Sequence, residues 1–168
     1  MDYKARVKTM LSEKRYAHTL GVAEAARSLA LHYGADPERA EVAAILHDCA
    51  KELPDARESK LLHAPLGASI AEKEFGVTDR DVLDAVRYHT TAKADMGLLT
   101  KIIYIADYIE PNRDYDGVSI MRELAYSDLD KAILMGLDFT ISDLLAQGKT
   151  IHTDAVEARN YLILAKGG

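Results

Sequence analysis

The chain has 168 residues, 48% of them hydrophobic and 29% charged, with a formal net charge of −6. That length and composition suit one globular domain, residues 1–168, and exclude a disordered chain; no run of eighteen apolar residues offers a membrane span. The acidic balance argues against a binder of duplex nucleic acid, which usually replaces phosphate counterions with a basic surface, yet a short polyphosphate needs only a local cluster of cations or a metal.

Nearly every segment repeats its apolar residues with the helical period and none sustains the alternation of a strand, so the fold is expected to be all-α, a helical bundle. The opening MDYKARVKTM has charges but no apolar core or cleavage site, and Cys49 stands alone, so a cytoplasmic location without disulfides is expected. Tyr16 to His32 reads as a helix with Val22, Ala25, Ala26 and Leu29 on one stripe and Gly34 as its stop. Asp36 and Pro37 open the next, which runs to about Cys49 before Pro54 ends the region.

A further helix is expected from near Pro65 to Gly76, and Thr78 to Asp81 has capping-box form ahead of a helix reaching Tyr88. Leu98 to Glu110 is stopped by Pro111, and PNRDYDGVS reads as a polar loop. Ile120 to Tyr126, Asp128 to Ala146 and Asp154 to Lys166 complete the set, with Gly148 as a break.

Several ionisable residues fall on the apolar stripes. His18 shares the face of Val22, Ala25, Ala26 and Leu29; His47 follows Ala40, Ala43 and Ala44 at helical offsets; His89 follows Val82, Ala85 and Val86. Asp107 follows Ile103, with no charged partner after it on that face, and Asp48 adjoins His47. A single buried imidazole is ordinarily a hydrogen-bonded core residue, and a bare His-Asp pair is no evidence of a site. Coincidence changes the weight: His18, His47 with Asp48, and Asp107 come from three helices, and two imidazoles with two carboxylates suit a divalent metal, which removes the cost of burying them.

With no thiolate in the set, iron, manganese and zinc all fit. His63 and His89 remain as further metal ligands or phosphate donors, and Asp48 has a second oxygen with which to bridge to a second metal. Lys51, one turn beyond His47, is within reach of a phosphate oxygen; the plainer reading is a cation at a helix C-terminus. Arg113 follows the helix of Asp107 and either points to the same mouth or is solvated. Tyr88, Tyr104, Tyr108 and Tyr115 include stacking partners for a base, none singled out by its spacing. Cys49 reads as a small buried residue, His32 as exposed, and His152 as a cap for the last helix; Arg159 and Asn160 face either ligand or partner subunit.

The pattern His18, His47-Asp48, Asp107 resembles the HD-domain superfamily of metal-dependent phosphohydrolases. The longer strings RYAHTLGVAEAARSLA, AAILHDCAKELP, LLHAPLGASIAE, AVRYHTTA, IIYIADYIEPNRDYDGV and IHTDAVEARNYL resemble, in order and spacing, the YqeK family of symmetrical bis(5'-nucleosyl)-tetraphosphatases, over nearly the whole chain. One departure is Thr153, where that family often has Pro.

The resemblance implies a single HD domain with its metal site between core helices, hydrolysing diadenosine tetraphosphate to two ADP in the bacterial cytoplasm as a homodimer. It makes His18, His47, Asp48 and Asp107 iron ligands, and Lys51, His63, His89 and Arg113 contacts to phosphates or to a second metal. Attack by a metal-bound hydroxide on a bridging anhydride, with Asp48 and Lys51 at the reacting centre, is the expected chemistry. The alternatives are an HD-domain nucleotidase or deoxynucleotide phosphohydrolase, and a nucleotide-sensing adaptor with a structural metal.

Overall fold

Side-chain caps decide where most of the helices begin. The computed structural model describes residues 1–57 and 59–167, which form ten helices and no strand: α1 Tyr3–Met10, α2 Glu13–Tyr33, α3 Pro37–Leu46, α4 Pro54–Arg57, α5 His63–Lys73, α6 Arg80–Tyr88, α7 Leu98–Ile109, α8 Val118–Ser127, α9 Leu129–Ala146 and α10 Thr153–Gly167. Asp2, Ser12, Asp36, Asp79 and Asp128 each accept backbone N–H groups at the start of α1, α2, α3, α6 and α9, satisfying donors that a helix leaves free. Gly34, at φ 71°, closes α2 in the left-handed conformation that glycine adopts without a side-chain clash.

Helix α7 is the axis of the bundle. Ile102, Ile103, Tyr104, Ile105 and Ala106 are all fully buried, an apolar surface on every side that only a helix surrounded by others can have. Helices α2, α3, α6, α8 and α9 pack around it, while α5 is carried by α6 and α10 by α9. Gly136 lets α9 approach closely: a Cβ there would stand 3.3 Å from the Tyr108 ring and 3.4 Å from that of Tyr104. The Tyr108 hydroxyl ties the same pair of helices through Thr140 Oγ1 at 2.6 Å.

The structure departs from the sequence reading at several boundaries. Helix α1 is unanticipated, because Val7 is its one buried residue and leaves almost no apolar stripe to detect. Helix α3 ends at Leu46, short of Cys49; Cys49, Lys51 and Leu53 donate instead to Leu46, Asp48 and Ala50, so the chain continues in i to i+3 turns. Pro54 opens the short α4 as well as ending those turns, α5 begins two residues before Pro65, and α6 is capped by Asp79 and not by Thr78. An aspartate has the stronger acceptor, and Asp79 also receives a fork from Arg39, with Nε and Nη2 at 2.6 and 2.8 Å.

Asp79 therefore offers a stability test. Hydrogen bonds from Arg39, outweighing burial, hold its carboxyl below the usual 3.8. A group with a lowered folded pKa stabilises fully above its unfolded value and loses that contribution as pH falls through the folded one. Asp79→Ala is expected to cost about 1 kcal/mol at neutral pH, mainly as a lost cap. In urea unfolding the variant and the parent should converge once Asp79 is protonated in acid.

Candidate metal centre

Asp48 is 3% exposed, and its two carboxylate oxygens face two different sets of side chains. Oδ2 lies 3.5 Å from His47 Nε2, 3.9 Å from His18 Nε2 and 3.2 Å from Arg15 Nη1. Oδ1 lies 3.2 Å from His63 Nε2, 3.4 Å from His89 Nε2 and 4.0 Å from Lys51 Nζ. Asp107 joins the first set, with Oδ1 2.9 Å from His18 Nε2. The tight turns after Leu46 make this arrangement possible: they direct consecutive residues His47 and Asp48 to one place and let Lys51, outside the helix, return to Asp48 and to His63 Nε2 at 3.2 Å.

Three of the imidazoles are oriented from behind. His47 Nδ1 donates to the Ala44 carbonyl at 2.6 Å and His89 Nδ1 to that of Val86 at 2.7 Å, each on its own preceding turn. His18 Nδ1 is 3.1 Å from Glu110 Oε1. With Nδ1 protonated and engaged, each Nε2 keeps its lone pair toward the centre. Burial pushes the His47 pKa down to about 4, which keeps that ring neutral. Burial alone would raise Asp48, but the imidazoles of His47, His63 and His89 packed around it outweigh that and hold it well below the carboxylate range.

The donor set fits a divalent cation. His18 Nε2 and His47 Nε2 are buried without a hydrogen-bond partner, although each has an oxygen of the cluster nearby, as expected of atoms aimed at a shared point. Ligand atoms held about 2.0–2.2 Å from one ion stand about 3 to 3.5 Å apart on neighbouring vertices. The pairs His18 with Asp107 and His47 with Asp48, at 2.9 and 3.5 Å, match that spacing. A second triad of His47, Asp48 and His89, all buried, also brings its ligand atoms within 4.8 Å of one another.

All the residues singled out from the sequence for metal and phosphate lie at this centre: His18, His47, Asp48, Lys51, His63, His89, Asp107 and Arg113. Lys51 stands on the turns after α3, not on its helical face, and burial lowers its pKa. Arg113 is anchored, with Nη2 on Asp107 Oδ1 at 2.9 Å and Nε on the Asp107 carbonyl at 2.8 Å. Arg159 is directed elsewhere and pairs with Asp138 of α9. His152 does cap α10, accepting from Asp154 N at 3.1 Å. Cys49 is buried and its pKa raised to about 12 by burial, which leaves it an inert thiol.

The sequence reading passed over Arg15 and Glu110. Contrary to expectation, Asp107 does have a charged neighbour on its face: Glu110, one turn on and 2% exposed. Its Oε2 accepts from Asn112 N and Nδ2 at 2.8 and 3.2 Å, and a Cβ at Gly21 would overlap it, so α2 approaches it as closely as glycine allows. Spacing was the available signal, since Arg15 precedes His18 by three residues and Glu110 follows Asp107 by three.

The helical fold and this centre define a class: the chain belongs to the HD domain family, whose model matches residues 15–112. More particularly, it is similar to two proteins named symmetrical bis(5'-nucleosyl)-tetraphosphatase. That from Bacillus subtilis is 43% identical over 95% of each chain, and that from Halalkalibacterium halodurans 45% identical over 94% of each. A crystal structure from Clostridium acetobutylicum, described as a predicted HD superfamily hydrolase involved in NAD metabolism, superposes with a TM-score of 0.93. It is 44% identical, over 97% of this chain and 96% of that one.

Glu110→Gln keeps the volume of the side chain but removes its charge from behind His18. It is expected to weaken metal binding about 10- to 100-fold. Metal titration, with circular dichroism showing unchanged helix content, checks it.

Proposed function

We propose that this protein is a symmetrical bis(5'-nucleosyl)-tetraphosphatase, which hydrolyses diadenosine tetraphosphate to two ADP with iron as its metal, in the bacterial cytoplasm, as a homodimer of single-domain chains. The observation that carries the reading is the division of positive charge about Asp48, with Arg15 on its Oδ2 side and Lys51 on its Oδ1 side. An anhydride centred there has two phosphates toward each cation. The near full-length similarity to proteins of that name supports the same substrate. No helix among the described residues is long and apolar enough to cross a membrane.

In this reading His18, His47, Asp48 and Asp107 hold the iron, manganese or zinc can substitute, and His63 and His89 serve a second metal or the phosphates. A divalent ion in this site supplies Lewis acidity and lowers the pKa of a bound water toward neutrality. The chain's own part is positioning and charge. Glu110, Ala44 and Val86 fix the imidazoles; Lys51, near His63, and Arg113, anchored on Asp107, neutralise the charge that accumulates on the phosphates as the bridge breaks.

Protein loaded anaerobically with ferrous iron is expected to convert diadenosine tetraphosphate to ADP alone; ATP with AMP would overturn the symmetrical assignment. Faster turnover of a nucleoside monophosphate or a deoxynucleoside triphosphate in parallel assays would favour the alternative hydrolases. Asp107→Ala is expected to lower metal content and to reduce turnover at least 100-fold, while helix content is retained. Unchanged turnover at reduced metal content would favour the adaptor.

A further inference from the structure

Two clefts open from the metal centre, and Arg113 lines both. Their walls differ in chemistry. The cleft on the Lys51 side, about 330 Å³, is walled by Thr90, Tyr115, Phe139 and Thr140. Phe139 is 57% exposed, unusual for a phenylalanine beside a polar centre, and its ring lies against that of Tyr115 with centroids 6.1 Å apart and planes tilted by 32°. Tyr115 is fixed there by its hydroxyl, which donates to the Tyr108 carbonyl at 2.8 Å. Beyond Phe139 and Thr140 the cleft continues into a recess of about 510 Å³ that includes Leu61, Leu144 and Ala155. Together these make an aromatic and aliphatic surface of the kind on which a nucleobase stacks.

The opposite cleft, about 610 Å³, is walled by Ser12, Lys14, Arg15, Glu52, Asn112 and Arg113, and its largest purely apolar side chain is the methyl of Ala17. It offers cations and hydrogen-bond donors for phosphates, beside the carboxylates of Glu52 and Glu110, but no phenylalanine or tyrosine ring.

We infer that the enzyme recognises the two halves of its substrate unequally: one nucleoside is stacked on Phe139 and Tyr115, while the other half is held through its phosphates by Arg15, Lys14 and Arg113. This rests on the reading that the centre cleaves between the second and third phosphates. The second nucleoside is then dispensable, so a mononucleoside tetraphosphate is also a substrate. Water adds across the central anhydride, its oxygen joins one phosphorus, the bridging oxygen leaves with the other, and adenosine 5'-tetraphosphate gives ADP and pyrophosphate.

The test compares diadenosine tetraphosphate and adenosine 5'-tetraphosphate with the iron-loaded full chain, and titrates ADP into the same protein by calorimetry. The expected results are ADP plus pyrophosphate from the mononucleotide, with kcat/KM within about tenfold of the dinucleotide, and one ADP bound per chain. Phe139→Ala, a change at an exposed position, should raise KM for both substrates and weaken ADP binding about tenfold or more. A mononucleotide cleaved more than 100-fold less efficiently, two equivalent ADP sites, or ADP affinity unchanged in Phe139→Ala would overturn the inference. Diadenosine tetraphosphate yielding products other than ADP would instead refute the symmetrical reading, and the ADP titration still decides whether the two clefts are unequal.

Discussion

A carboxylate taken out of water must be compensated, and in this molecule that carboxylate is Asp48. The effective penalty for an unpaired buried ion is on the order of several kcal/mol. Asp48 meets it with Arg15 beside one oxygen and Lys51 and His63 beside the other, and the imidazoles of His18, His47 and His89 stand around it ready to share a cation. Those partners come from α2, the turns after α3, the start of α5 and the end of α6, while Asp107 adds α7 through His18. The way the helices pack and the site's capacity to hold a cation are thus one constraint. The same carboxylate that would be unfavourable in an apolar core becomes the point on which five segments of the chain converge.

Much of this was legible in the sequence because helices with one buried face announce themselves by period. The stripe through Val22, Ala25, Ala26 and Leu29 marks α2, and the apolar run of Ile102 to Ala106 marks the central α7. Where the signal is weak the reading fails for the same physical reason: α1 buries Val7 alone. The end of α3 is not legible because Ala43 to Ala50 contains no helix breaker, and composition does not record the change to i to i+3 turns.

The polar residues follow a parallel logic. His18, His47, Asp48, His89 and Asp107 stand out because they interrupt apolar faces, and the structure gathers them. Glu110 is not legible because it lies beside Pro111 at a helix end, where a glutamate ordinarily meets solvent; the close approach of α2 at Gly21, with His18 and Asn112 on its carboxylate, buries it. Nor could Phe139 be chosen over the tyrosines, since exposure depends on how α9 and the loop of Tyr115 meet. Tyr104, an equally plausible stacking residue by spacing, is fully buried in the core.

Arg15, Lys51 and Arg113 line the two clefts that open from one centre, on a chain whose overall charge is −6. Field lines from such a patch are focused by the low-dielectric walls around it. A compact polyanion is guided inward from a distance of about one Debye length, close to 8 Å at physiological salt. The fold therefore concentrates its pull on anions at the metal centre before any atom of a ligand is touched.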